Sequence, residues 1–87
     1  MGRQKKEDIQ FKKGLDYYNN EQFNDAIKCF DDAINRNQRF SKAWIHKGLA
    51  LSGLEKYRAA IKCFDMVINI NPGIPGPGII KALHLMI

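Results

Sequence analysis

An all-α fold, built from antiparallel helix-turn-helix repeats stacked as a short α-solenoid, follows from two observations on this 87-residue chain. The first is duplication. Ala26-Ile27-Lys28-Cys29-Phe30-Asp31 recurs letter for letter as Ala60-Ile61-Lys62-Cys63-Phe64-Asp65, at an offset of 60 − 26 = 34. The same offset pairs Lys13-Gly14-Leu15 with Lys47-Gly48-Leu49, Ile34 with Ile68, Asn35 with Asn69 and Asn37 with Asn71. So many identities at one period mark a repeated supersecondary unit. The second observation is apolar spacing in steps of three and four within each unit, the period of a helix.

The elements follow in order. From about Lys5 to Asn19 the steps Phe11, Leu15, Tyr18 are helical, and Glu7 and Asp8 suit the positive end of the helix dipole. The polar turn formers Asn19-Asn20-Glu21-Gln22 end that helix. A second helix, about Phe23 to Arg36, carries the stripe Ala26, Ile27, Phe30, Ala33 and Ile34. After a connector at 35–40, Ser41 is placed to cap a third helix running to about Ser52, and Gly53-Leu54 mark its turn. A fourth, about Lys56 to Ile70, repeats the stripe as Ala60, Ile61, Phe64, Val67 and Ile68. Asn71-Pro72 closes it, because the residue before proline avoids helical geometry. Gly14 and Gly48 lie inside helices, where glycine costs about 0.5–1 kcal/mol against alanine. Recurrence at the repeat offset implies that a large side chain packs onto that bare backbone.

Composition narrows the classes. Apolar residues make up 45% and charged residues 26%, which is globular rather than disordered. No apolar run approaches the ~18–20 residues that span a bilayer, so no membrane is expected. The basic start, Met1-Gly2-Arg3-Gln4-Lys5-Lys6, has no apolar core behind it and does not read as a signal peptide. With two cysteines the expectation is a reducing compartment, and the default address is cytoplasmic. Residues 1–13 hold five cations against Glu7 and Asp8, 5 − 2 = +3 of the total +5. A basic arm ahead of a nearly balanced body suits solvated ends or acidic partners better than nucleic acid.

These residues resemble the tetratricopeptide repeat family. In that family's frame residues 1–6 are a basic arm, the first repeat is 7–40 and the second 41–74. The second matches at Trp44, Gly48, Tyr57, Ala60, Phe64 and Pro72; the first at Gly14, Tyr17, Phe23, Ala26, Phe30 and Ala33. Departures are Gln10 for the tryptophan, Gln38 for the proline, Lys13 and Lys47 for leucine, and Val67 for alanine. The resemblance implies a non-catalytic module whose first helices line a concave peptide groove. Its positions fall on Asp8, Phe11, Leu15, Tyr18 and Asn19, then Lys42, Ile45, Leu49 and Ser52. The alternative for the apolar members is that they are core. In the chaperone-binding subtype, lysine, asparagine and arginine clamp a C-terminal carboxylate. The matching positions here are Phe11, Leu15, His46, Gly76 and Ile80, so that clamp is absent.

Residues 75–87 leave the pattern. A third repeat would begin at Pro75, but Gly73-Ile74-Pro75-Gly76-Pro77-Gly78 is hostile to helix. Beyond it Ile79, Ile80, Leu83, Met86 and Ile87 fit one face of a short helix. It reads as a capping helix on the fourth, as a self-association element exchanged between chains, or as a remnant of truncation. An exposed apolar terminus favours a homo-oligomer.

Catalysis and cofactors are not expected. His46 and His84 have no Asp, Glu or Cys at ligand or triad spacing, and no glycine-rich loop follows a strand. Cys29 and Cys63 hold the same place in successive units, too far apart on packed helices for a disulfide, and read as small hydrophobes. The expected partner is a protein or peptide. Two readings stay open beside it: a minimal or engineered repeat scaffold whose main property is folding and oligomerisation, and nucleic-acid binding through the basic arm.

Overall fold

A computed structural model describes residues 5–71. Four helices account for nearly all of them: α1 Lys6–Asn19, α2 Phe23–Arg36, α3 Ser41–Gly53 and α4 Tyr57–Ile70. α1 packs on α2 and α3 on α4, each pair joined by a turn too short for anything but an antiparallel hairpin. α2 packs on α3, which stacks the two hairpins, and α1 meets α3 over a shorter stretch. The core stripes fall where the 3–4 spacing puts them: Ala26, Phe30, Ala33 and Ile34 on α2, and Ala60, Phe64 and Val67 on α4.

The expected role of the two helical glycines is met. A methyl on Gly14 would stand 2.5 Å from Cε1 of Phe30, and one on Gly48 would stand 2.7 Å from Cζ of Phe64. Each ring lies on its neighbour's backbone and is itself buried. Alanines fill the remaining close approaches: Ala26, Ala33, Ala43, Ala50 and Ala60 are all 0% exposed.

Three local expectations are corrected. Ser41 is the first residue of α3 and caps nothing; the N-cap is Phe40, whose carbonyl accepts from the N–H of Ala43 at 3.1 Å and of Trp44 at 3.3 Å. The Phe40 ring packs on Phe11, with centroids 5.2 Å apart, so burial of an aromatic anchors this helix start in place of a hydroxyl cap. Gly53 is not the residue that turns the chain. It is the last residue of α3 with an ordinary negative φ, and it is bare because the Phe23 ring sits 2.7 Å from where its methyl would be. Ile68, read as core, is 40% exposed, because its counterpart Ile34 is covered by Ala43 of the next unit while no described helix follows α4.

The turns themselves are left-handed at glutamate. Glu21 has φ 61° and Glu55 φ 62°, at the same place in each unit. Behind them Gln22 N–H donates to the Tyr17 carbonyl and Lys56 N–H to the Leu51 carbonyl, both at 2.8 Å. Glu21 and Glu55 likewise donate to Tyr18 and Ser52, at 2.9 Å each, completing a Schellman closure at both helix ends. A side chain in this conformation costs about 1–2 kcal/mol.

Two stability predictions follow from these contacts. Gly48→Ala gains about 0.5–1 kcal/mol of helix propensity but overpacks a buried ring at a cost of about 1–3 kcal/mol, so the urea midpoint falls. Glu55→Gly relieves the left-handed strain at an exposed position and raises the same midpoint, a gain of about 0.5–1 kcal/mol in stability after the extra chain entropy of glycine.

Candidate functional site

Among the described residues, two depressions flank α3. The first lies on the α1 side, about 300 Å³ in volume, with Phe11, Leu15 and Phe40 as its apolar part and Asp8, Lys12 and Lys42 as its charged part. Helical spacing places Asp8, Phe11 and Leu15 on one face of α1, at steps of three and four. Four of the nine sequence-read groove residues therefore meet here: Asp8, Phe11, Leu15 and Lys42. Lys12 and Phe40 join them unanticipated. Phe40 sits in the connector before α3, where helical periodicity carries no information.

The other five lie elsewhere. Tyr18 stacks edge-on against Phe23, with centroids 5.6 Å apart, and Asn19 is solvent-exposed at the end of α1. Ile45 and Leu49 are partly buried against the Leu51, Ala60, Cys63 and Phe64 cluster of the second unit. The Ser52 hydroxyl oxygen is buried without a hydrogen-bond partner. The self-association residues Ile79, Ile80, Leu83, Met86 and Ile87 lie outside the described residues.

Behind the first depression is a ring cluster centred on His46. Its imidazole lies 5.2 Å from Phe11, 5.9 Å from Phe30 and 6.2 Å from Tyr18, centroid to centroid. Nδ1 lies 2.8 Å from the Lys42 carbonyl, and a carbonyl only accepts, so Nδ1–H is the donor. His46 is thus held by its own helix and packed among rings, at the register position where the first unit has Lys12. Nothing in its spacing announced this.

The second depression, about 520 Å³, lies on the opposite face of α3 between α2 and α4. Ile27, Trp44, Leu51 and Met66 give it an apolar lining. At its rim Lys47 Nζ sits 2.6 Å from Asp31 Oδ1 and 5.6 Å from the Trp44 ring centroid. Asp31 keeps 45% of its side-chain surface in that pair, and its counterpart Asp65 is exposed. The pair remains partly exposed and is worth at most about 1 kcal/mol. Trp44 Nε1–H donates to the Gln38 carbonyl at 3.0 Å, tying the indole to the connector. Arg39 in the same connector donates to the Ile70 carbonyl at 3.4 Å, reaching the end of α4.

Neither cysteine is activated. Both are free thiols. Burial pushes the Cys63 thiol above its ordinary value of 9.0, with nearby Asp31 adding to the rise and Lys47 opposing it. Cys29 shifts the same way, again chiefly by burial, against the lowering effect of Lys13. Among the described residues no three His, Cys, Asp or Glu side chains gather where they could hold a metal ion. No described helix is long and apolar enough to cross a membrane.

A family model for the tetratricopeptide repeat matches residues 41–74. Residues 41–74 are a tetratricopeptide repeat. The helical body as a whole has the tetratricopeptide fold: it superimposes on the first tetratricopeptide domain of Spaghetti (RPAP3), solved bound to the HSP90 peptide SRMEEVD. That match has a TM-score of 0.57 over 92% of this chain and 91% of that one, at 16% identity. No curated protein matches the sequence. Repeats of this family are protein-interaction modules, and the tetratricopeptide geometry accounts for both depressions, since each lies where consecutive hairpins stack.

The buried thiol supplies a prediction. Cys63 alkylates more slowly than half-buried Cys29 in the native protein, and the two rates converge in denaturant; peptide mapping after a timed iodoacetamide pulse measures both. The folded chain holds the Cys63 proton more tightly than the unfolded chain does. Its contribution to stability is therefore complete below the ordinary value of 9.0 and is lost as pH rises above it.

Proposed function

We propose that the protein is a non-catalytic interaction module that binds a peptide or helix on the α1–α3 side, across Phe11, Leu15 and Phe40. One observation carries the reading: an apolar floor with charges on its rim, open to solvent, where α1 meets the start of α3. The rim is asymmetric, with Asp8 against Lys12 and Lys42. A ligand with an apolar anchor beside a carboxylate matches it best. The related fold of Spaghetti was solved with an acidic peptide, which supports a peptide as the ligand class. The recognition chemistry differs from a carboxylate clamp, since Phe11, Leu15 and His46 occupy the clamp's positions in this chain.

Panning a displayed peptide library against the protein tests this. Enriched peptides carry an apolar anchor, and Leu15→Asp weakens their binding by about tenfold or more, the worth of one desolvated leucine. Leu15 is only partly buried, so helical content by circular dichroism stays at the wild-type level. Undiminished affinity in Leu15→Asp moves the site off this face.

A further inference from the structure

The two units share their packing residues and differ on one further face. Where α2 carries Asp25, Asp32 and Arg36, α4 carries Ala59, Met66 and Ile70 at the same register. Steps of seven and four put the three positions on one side of a helix. On α2 that side is charged: Asp25 is exposed, and Arg36 Nε–H donates to Asp32 Oδ2 at 3.3 Å. On α4 none of those charges remains. Ala59, Met66 and Ile70 are partly buried, yet none belongs to the buried stripe Ala60, Phe64 and Val67.

Two of the three line the second depression. The α2 and α4 backbones do not approach each other, so α3 floors a trough between them. From Trp44 to Leu51 that floor runs two helical turns, about 10 Å. Ala59 and Met66 stand on one wall and Ile27 on the other. A small molecule in so open a trough would keep one side in water. An amphipathic helix brings its own cover and sets a row of apolar side chains into such a groove.

The charges specify the occupant further. Asp31 is engaged by Lys47 at 2.6 Å, whereas Lys62, exposed on the α4 wall, makes no ion pair among the described residues. Its counterpart Lys28 has Asp25 and Asp32 one turn away on either side, where Lys62 has Ala59 and Met66. Further round the helix Arg58 and Asp65 offset each other. The wall therefore presents one unanswered cation beside an apolar trough, on a chain of net charge +5.

We propose that this trough is a second docking site, which takes an acidic amphipathic helix of a partner protein. Apolar side chains enter over Trp44 and Met66, and a carboxylate meets Lys62. The site lies across α3 from Phe11 and Leu15, so both faces can be occupied at once.

Substitutions that restore the first unit's residues test it. Ala59→Asp and Met66→Asp copy what α2 carries at the same register, so each moves Tm of the chain alone by no more than a few degrees. A displayed library of tryptophan-free helical peptides is panned against the Leu15→Asp chain, which keeps failure here distinct from failure of the first site. Trp44 is the chain's one tryptophan, so its emission reports occupancy of the trough. Enriched helices carry apolar residues at steps of three and four with Asp or Glu beside them, and they shift that emission. Met66→Asp weakens them about tenfold or more, and Lys62→Glu weakens them severalfold and flattens the loss of affinity with salt. Trp44 emission unmoved by every enriched helix, or affinity undiminished in Met66→Asp, overturns the site. A large fall in Tm in both aspartate variants means that the chain covers this face itself, which also overturns it. Self-association by light scattering that Met66→Asp abolishes makes the occupant a second copy and overturns the partner proposed.

Discussion

The contact on which the rest depends is a phenylalanine ring laid on a bare stretch of helix. Phe30 occupies the space above Gly14, and Phe64 the space above Gly48. A Cβ at either glycine would force the hairpin apart, so the glycine sets the interaxial distance and the ring fills the gap. The cost of glycine inside a helix is offset by burial of a whole aromatic side chain, worth about 1.5–3 kcal/mol. Once the hairpin closes at that distance, Ala26 and Ala60 can bury completely. Each hairpin then presents one flat side to its neighbour.

Identical sequence does not give identical surroundings. The hexapeptide of the first unit meets α3, so Asp31 finds Lys47 and Ile27 joins the second core. In the second unit Asp65 is exposed, and Ile68 keeps 40% of its surface where Ile34 keeps 6%. The difference arises from stacking alone. A repeat array has a direction, and its last unit carries the contact half that its predecessor has already used. Phe23 shows the same direction: it reaches forward to Gly53 of the next unit, and Asn19 stands at the register position of that glycine.

Periodicity made the helices legible, because a stripe repeated at an identical offset is hard to produce by chance. The glycine positions were legible for the same reason. What periodicity does not encode is what lies between units. Phe40 belongs to a connector, and its capping of α3 depends on a ring from α1. Gly53 looked like a turn residue because glycine so often is one, yet the left-handed residue is Glu55 and the glycine answers to Phe23. The cavity behind Trp44 exists only once α2 and α4 are set apart by α3. The nine groove positions came from the resemblance to the repeat family; spacing alone puts Asp8, Phe11 and Leu15 on one face of α1. How deeply Ile45, Leu49 and Ser52 are buried follows instead from the stacking geometry.

The register also bears on how a ligand would lie. Asp8 and Lys42 are equivalent positions, 42 − 8 = 34, and they carry opposite charge at the rim of one depression. Lys12, on α1, adds a second cation to that rim, while its equivalent His46 is withdrawn among rings and bound to its own helix. Charge therefore differs between the units along this rim, while Gly14 and Gly48, Ala26 and Ala60, and Phe30 and Phe64 are kept. Opposite charges at the rim orient a bound chain more than they add to its affinity. In the proposed binding mode the apolar floor would supply most of the free energy, and Asp8 against Lys42 would set the direction in which a peptide runs.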